Sequence, residues 1–454
     1  MSTQTQTESF VLQTTGSDTQ VHHPEPQVLQ ELEPAIPPQP KWLYPKIFSA
    51  GVSFFVAGIN DGSLGSLIPY VIRSYDIGTN MVSLLYGVTF FGWLFAAISS
   101  SFICQHLDLG AMLSLGALMQ ILAHVLRVWL PPFPLYAVTF FFASLGQAYN
   151  DMHANTFVSG QKGAHRWLGF IHAMYMGGCL VGPFVATAVA SANSGTDTDT
   201  ESKWNLFYCL PLAVGVVNLV AVGVSFHDRV GFVGKGNRRM EDVQTQVEGE
   251  RGSSARKNAL KEIRDTLSTP GVWLLSLFFF FFLGAAVTAG GWMVEYLVNI
   301  RNGDVKEMGY VPAGFYGGAF LGRLLLAEPT HRLGERRMIF IYAVLCVGLQ
   351  LVFWLVPNII TEAVAVSLLG FFSGPFFATG VSVGSKIFAP EILSPAISFV
   401  FVLGQIGGSI FPAITGLIAA HVGVKVLQPI LVGLLGAAGI SWLVLPKDLE
   451  LHRD

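Results

Sequence analysis

Apolar residues run along this chain in blocks of about twenty, and the polar residues gather in the breaks between them. A block of that length crosses the hydrocarbon core of a bilayer as one α-helix. Twelve are predicted: 46–72, 81–103, 109–130, 133–157, 167–191, 205–226, 271–298, 309–328, 337–356, 362–388, 394–420 and 426–445. Six precede and six follow one long polar stretch. The pattern therefore divides the chain into a tail (1–45), a six-helix bundle (46–226), a linker loop (227–270), a second six-helix bundle (271–446) and a short tail (447–454). Residues 1–40 hold no Lys or Arg and are rich in Gln, Thr, Glu and Pro, a composition that buries no core and predicts a disordered tail. No basic n-region followed by an apolar h-region opens the chain, so no cleavable signal peptide is expected.

Composition sharpens this. Only 12% of the 454 residues are charged, against about 25% in soluble domains, and the mean hydropathy is +0.54. That excludes an ordinary soluble enzyme. A net charge of -3 offers no basic field for phosphate, so no nucleic-acid partner is expected. The 49 glycines and 35 phenylalanines suit helices packed closely in lipid. Cys104, Cys179, Cys209 and Cys346 form no CxxC or Cys/His spacing, so no disulfide framework, metal site or cofactor is expected. The run Gly231-Phe-Val-Gly-Lys-Gly236 has neither the preceding strand nor the following Ser/Thr of a phosphate loop. With no nucleophile–base pair either, the sequence does not read as an enzyme.

Basic residues mark the cytoplasmic side of a membrane protein. With residues near span edges (Lys46, Arg127, Arg337 and Lys386) counted to the neighbouring tail or loop, tails and even-numbered loops carry 19, odd-numbered loops carry 6, and Arg323 falls inside the eighth span. Both termini and the linker are thus expected in the cytoplasm.

The two halves echo each other. Gly58, Tyr70 and Gly92 recur as Gly284, Tyr296 and Gly318, each 226 residues on; Leu109-Gly110 recurs as Leu333-Gly334, Gly146 as Gly374 and Gly178 as Gly408 at slowly drifting offsets. Two repeats of six helices predict halves related by an axis along the membrane normal, with a solute site between them at mid-depth.

Ionisable groups inside spans are costly, about 2.5–3.5 kcal/mol at the bilayer centre, and mark solute or proton pathways. Asp61 lies mid-way along span 1, in Asn60-Asp61-Gly62. Asp151 lies in span 4, where Gln147, Asp151 and Asn155 at i, i+4, i+8 share one helix face. Span 5 carries His172; span 7 carries Thr288, Trp292 and Glu295; span 10 carries Thr379, Ser382 and Lys386. A carboxyl withdrawn from water holds its proton more readily. Asp61 and Asp151, with His172, are therefore candidates for proton coupling, and Asn60, Gln147, Asn155, Trp292 and Thr379 for contact with a solute. Tyr86, Trp93, Tyr149 and Tyr175 add aromatic surface, as stacking platforms or as packing.

These residues resemble the major facilitator superfamily, and within it the fucose–proton symporter-like group and its fungal members. Asp151-Met-His-Ala-Asn155-Thr-Phe157 resembles the group's acidic-x-x-Ala-Asn-x-Phe signature, which implies a proton-coupling role for Asp151. Span 5, His172-Ala-Met-Tyr-Met-Gly177-Gly178-Cys-Leu-Val-Gly182-Pro183, is similar to that of the fungal and animal members; Asn60-Asp61-Gly62 with Pro69 and Thr288-Ala-Gly290-Gly291-Trp292 resemble spans 1 and 7. Gly322-Arg323 followed by Arg332-Leu-Gly-Glu335-Arg336-Arg337 is similar to the cytoplasmic gating loop, which implies gating roles for Arg323, Arg332 and Arg336, and for Asp108 in the first-half counterpart. That counterpart, Cys104–Gly110, lacks the usual basic residues, and Ala286 stands where many fungal relatives carry an acid. Gly169, Gly178, Gly182 and Pro183 approximate the span-5 pattern of drug–proton antiporters. The expectation is a monomeric secondary transporter in the plasma membrane or an organelle membrane such as the vacuole's. Its partners are protons, the lipid bilayer and a small organic solute, either a sugar taken up by symport or a metabolite exported by antiport. A receptor on the same fold that binds without transporting is the rival reading.

Overall fold

The computed structural model describes residues 42–192, 203–229, 231, 264–389 and 392–446. Residues 1–41 of the expected N-terminal tail, most of the linker and the C-terminal tail lie outside the described residues; the last residues of the expected tail, from Leu43, are already helical. Among the described residues there is no strand, and each expected span falls on a helix: α1 (Leu43–Tyr75), α2 (Thr79–Ile103), α3 (Leu109–Val128), α4 (Phe133–Ser159), α5 (Ala164–Ala192), α6 (Cys209–Ser225), α7 (Pro270–Arg301), α8 (Val311–Leu325), α9 (Glu335–Leu355), α10 (Ile359–Ile387), α11 (Leu393–Val422) and α12 (Leu427–Leu443). Ten are long and apolar enough to cross a membrane by length and composition. The exceptions are α4, whose C-terminal half carries the polar stripe, and α8, which has only 15 residues. Helix α10 is broken at Gly374-Pro375 into Ile359–Ser373 and Phe376–Ile387, as a proline without an amide donor demands.

The internal repeat is written into the packing. In the first half α1 lies on α5 and α6, α4 on α2 and α3, and α3 on α6; in the second, α7 lies on α11 and α12, α10 on α8 and α9, and α9 on α12. The repeated glycines occupy matching contacts. Gly58 of α1 backs onto Tyr175 and Cys179 of α5, and Gly284 of α7 onto Phe411 of α11. Gly92 of α2 backs onto Phe141 and Ser144 of α4, and Gly318 of α8 onto Ser367 and Phe371 of α10. Even the helix ends correspond: α1 stops at Asp76 (φ 49°) and α7 at Asn302 (φ 55°), both left-handed, their amides turned back to Ile72 O and Leu297 O. Asp and Asn are the side chains that best tolerate that conformation.

Two charged pairs tie the ends of the bundles. Lys46 of α1 meets Asp228 at 2.8 Å. Arg301 of α7 pairs with the fully buried Glu362 of α10 and donates to Trp354 O at 2.7 Å.

Candidate functional site

The halves meet where α1 packs on α7, α2 on α11 and α5 on α8, the last two being equivalent under the repeat. The seam is tight toward the odd-numbered loops. Ser66 Oγ donates to Gly309 O at 2.8 Å, Phe184 and Tyr310 stand 5.4 Å apart between ring centroids, and Thr187 presses on Gly309. Gly65 and Gly290 touch backbone to backbone, so that a Cβ on Gly65 would lie 1.8 Å from Gly290 O. Nearer the linker end His172 of α5 faces Phe377 of α10 at 5.3 Å and stands edge-on to Phe54 of α1 at 5.2 Å.

Asp61 lies at the heart of this arrangement. Its carboxylate accepts from Gln147 Nε2 of α4 at 2.8 Å, from the Tyr175 hydroxyl of α5 at 3.0 Å and from Asn60 Nδ2 at 3.1 Å. Three helices hold it, yet the residue is exposed to solvent. The recess among α1, α4 and α5 that leaves Asp61 accessible is the crevice of this site.

Behind Asp61 stands a cation the sequence reading missed. Arg127, 1% exposed, donates from Nη1 to Asn60 Oδ1 at 2.9 Å and from Nε to Thr139 Oγ1 at 2.7 Å. Its guanidinium lies 4.0 Å from the Phe140 ring centroid and 5.2 Å from that of Tyr208, a cation–π cage. The charge count assigned Arg127 to a loop; the structure buries it inside α3. The signal was there: Gln120, His124 and Arg127 fall at i, i+4, i+7, and all three are buried on the inner face of α3.

The remaining candidates divide. Asp151 is half-buried one turn beyond Gln147, with Oδ1 shielded and unpartnered and near enough to Asp61 for the two carboxyls to interact. Asn155 is half-buried one further turn along. Thr379 is buried in α10. Trp292 does not line the crevice: it is fully buried, its indole N–H donates to Pro412 O at 2.9 Å, and it leans on Tyr86, so packing claims it rather than solute. Among the gating candidates, Arg332 pairs with Glu328 on its own helix at 2.5 Å and Arg336 donates to Pro446 O at 2.5 Å. Asp108 sits at the start of α3, its amide bonded to Gly231 O at 3.1 Å. None of these contacts crosses between the halves. The hub of the second-half loop is Glu335, which accepts from Ser382 at 2.9 Å and Lys386 at 2.7 Å, both of α10. Arg323 is half-buried against Phe377, beside the crevice rather than in the loop.

A family model for the Major Facilitator Superfamily matches residues 50–360 and 291–453, and the chain belongs to that superfamily. It is a multi-pass integral membrane protein of the transporter class, not an enzyme. Among curated proteins it is 23% identical over 427 residues to Bypass of stop codon protein 6 of Saccharomyces cerevisiae, covering 90% of this chain and 84% of that one. Among solved structures it resembles a bacterial homologue of the human lysosomal transporter Spinster in an inward-facing, unoccupied conformation (14% identity, 90% of this chain and 97% of that one, TM-score 0.68). It also resembles the E. coli fucose:proton symporter (16%, 90% and 100%, 0.61) and a D-xylose–proton symporter (11%, 90% and 98%, 0.67). Identities this low carry the fold.

Proposed function

We propose that this protein is a proton-coupled secondary transporter that moves a small organic solute by alternating access, with Asp61 and Asp151 loading and unloading the proton. The observation that carries the reading is Asp61: an acid held by three helices beside the seam between the repeats and still accessible. With contacts closing the odd-loop end, we take the crevice to open toward the linker end. A carboxyl that gains and loses charge is not equally stable in a crevice open to one side and in one open to the other, so protonation biases which half-turn of the cycle is favoured. Arg127 acts through Asn60 to keep the side chain oriented in both charge states. Fucose and xylose symporters among the structural neighbours support a polar solute of sugar size. The excess of basic residues in even-numbered loops supports cytoplasmic termini, making the open end the cytoplasmic one. We take the unit to be a monomer in the plasma membrane.

The test uses proteoliposomes and a panel of sugars and sugar acids. Asp61→Asn and Asp151→Asn are expected to abolish uptake or efflux driven by a pH gradient while solute exchange at equal pH continues. Gradient-driven flux that survives both substitutions overturns the coupling; binding with no flux in the wild-type protein would favour a receptor.

A further inference from the structure

Cations packed into the bundles reach protein oxygens: Lys46 that of Asp228, Arg127 those of Asn60 and Thr139 although its Nη2 stays unpartnered, and Arg301 those of Glu362 and two carbonyls. Arg323 breaks this pattern. It sits in the last turn of α8, about 18 Å along the helix from its odd-loop end at 1.5 Å per residue. The preceding residue, Gly322, backs directly onto Phe371 in the middle of α10, which fixes the same depth. The guanidinium lies over the Phe377 ring at 5.7 Å, Nε is shielded with no hydrogen-bond partner, and among the described residues no carboxylate pairs with it. The groups near enough to interact with it electrostatically are His172, Tyr175 and Cys179, all on α5 of the opposite half. Tyr175 in turn donates to Asp61. The crevice thus has an acidic wall on the first half and a single guanidinium on the second.

An arginine at this depth keeps its charge and needs an anionic or carbonyl partner. We propose that Arg323 is the oxyanion subsite of the crevice, and that the transported solute carries a carboxylate or phosphate. The acidic group docks on Arg323 of the second half, while the polar body of the solute faces Asn60, Gln147 and Tyr175 of the first. One solute then touches both halves, and its binding energy draws them together, which is what occlusion requires. Planar guanidinium geometry suits either oxyanion, through two parallel N–H donors. This rests on the transporter reading given above and adds the chemistry of what is carried.

The experiment is an equilibrium binding measurement on the full-length protein in lipid nanodiscs, with no gradient and at matched ionic strength. The probes are glucose, glucuronate, glucose 6-phosphate, acetate and inorganic phosphate, and the readouts are intrinsic tryptophan fluorescence and the shift in thermal midpoint. Glucuronate or glucose 6-phosphate is expected to bind at least tenfold more tightly than glucose. Whichever of the two binds better identifies the oxyanion as carboxylate or phosphate. Arg323→Gln should erase that preference, and Arg323→Lys, which keeps the charge but not the paired donors, should keep part of it. Arg323→Lys also serves as the folded reference if the glutamine variant is unstable. Glucose binding as tightly as the acids, a preference that persists in Arg323→Gln, or no Arg323-dependent binding by any probe overturns the proposal. Loss of gradient-driven flux in Asp61→Asn is a separate result, so a proton-coupled carrier of neutral solutes would pass that test and fail this one.

Discussion

Gly65→Ala strikes a place where the two repeats touch backbone to backbone. The added Cβ would sit 1.8 Å from Gly290 O and 2.9 Å from Gly290 C, whereas ordinary contact begins near 3.4 Å. No rotamer relieves a clash with main chain, so α1 and α7 must part by about 1.6 Å. Because these helices belong to different halves, the seam can open without unfolding either bundle. Overpacking of this kind costs about 1–3 kcal/mol. The penalty falls only on the state in which this seam is closed, so the balance should move toward the oppositely open state by roughly 5–150-fold. The assay is labelling of Thr187→Cys by a membrane-impermeant maleimide, in a background lacking the four native cysteines. Thr187 is fully buried beneath Gly309 in this seam and should be unreactive until it opens. Gly65→Ala should raise the labelling rate. Gly58→Ala, whose Cβ would meet Tyr175 O at 2.0 Å within one half, should lower the thermal midpoint and leave labelling unchanged. Equal labelling with and without Gly65→Ala, or equal opening by Gly58→Ala, refutes the assignment of this seam as the moving boundary.

Other substitutions probe the parts separately. Arg127→Met removes two charge-assisted hydrogen bonds and leaves Asn60 Oδ1 and Thr139 without a donor, a loss of roughly 1–3 kcal/mol; a thermal midpoint equal to wild type would show that the caged cation is dispensable. Glu362→Ala strands Arg301 in the interior and should cost about 3–5 kcal/mol, whereas Glu335→Ala breaks a pair whose lysine is 47% exposed and should cost about 0–1 kcal/mol. The ratio of the two midpoint shifts checks the contrast. Trp292→Phe loses one buried hydrogen bond, about 1 kcal/mol, and should lower stability while leaving the solute KM in place; a raised KM at unchanged stability would return Trp292 to the solute site.

Long apolar blocks specify helices almost by themselves, which is why all twelve expected spans fall on helices and why the 226-residue repeat reappears in packing and in the paired helix ends at Asp76 and Asn302. The candidate site was legible where polar residues share a face at helical spacing: Gln147 does point to Asp61, and Asn60 does stand beside it. Periodicity says which residues face inward, and not which helix they face. Trp292 and Gln147 both read as polar interruptions of apolar spans, but one meets the Pro412 carbonyl and the other an acid at the crevice. Arg127 was misassigned for a related reason. A basic residue near the end of an apolar block resembles a loop anchor in sequence, and only the packing of α3 on α4 reveals that this one is drawn inward. The tight approach of Gly65 to Gly290 was hidden as well, because glycines in lipid-embedded helices are common and only a few carry the contact between halves.

The account stands on Asp61 changing its protonation as part of the working cycle. Infrared difference spectroscopy of the protein in lipid films, titrated through the physiological pH range, reads carboxyl protonation directly and needs no knowledge of the solute. A protonated-carboxyl band that grows and fades with bulk pH is expected in the wild-type protein; its Asp61 part should shift when Tyr175→Phe removes a donor and be missing from Asp61→Asn, the Asp151 part remaining. A spectrum of Asp61→Asn indistinguishable from wild type at every pH would contradict it.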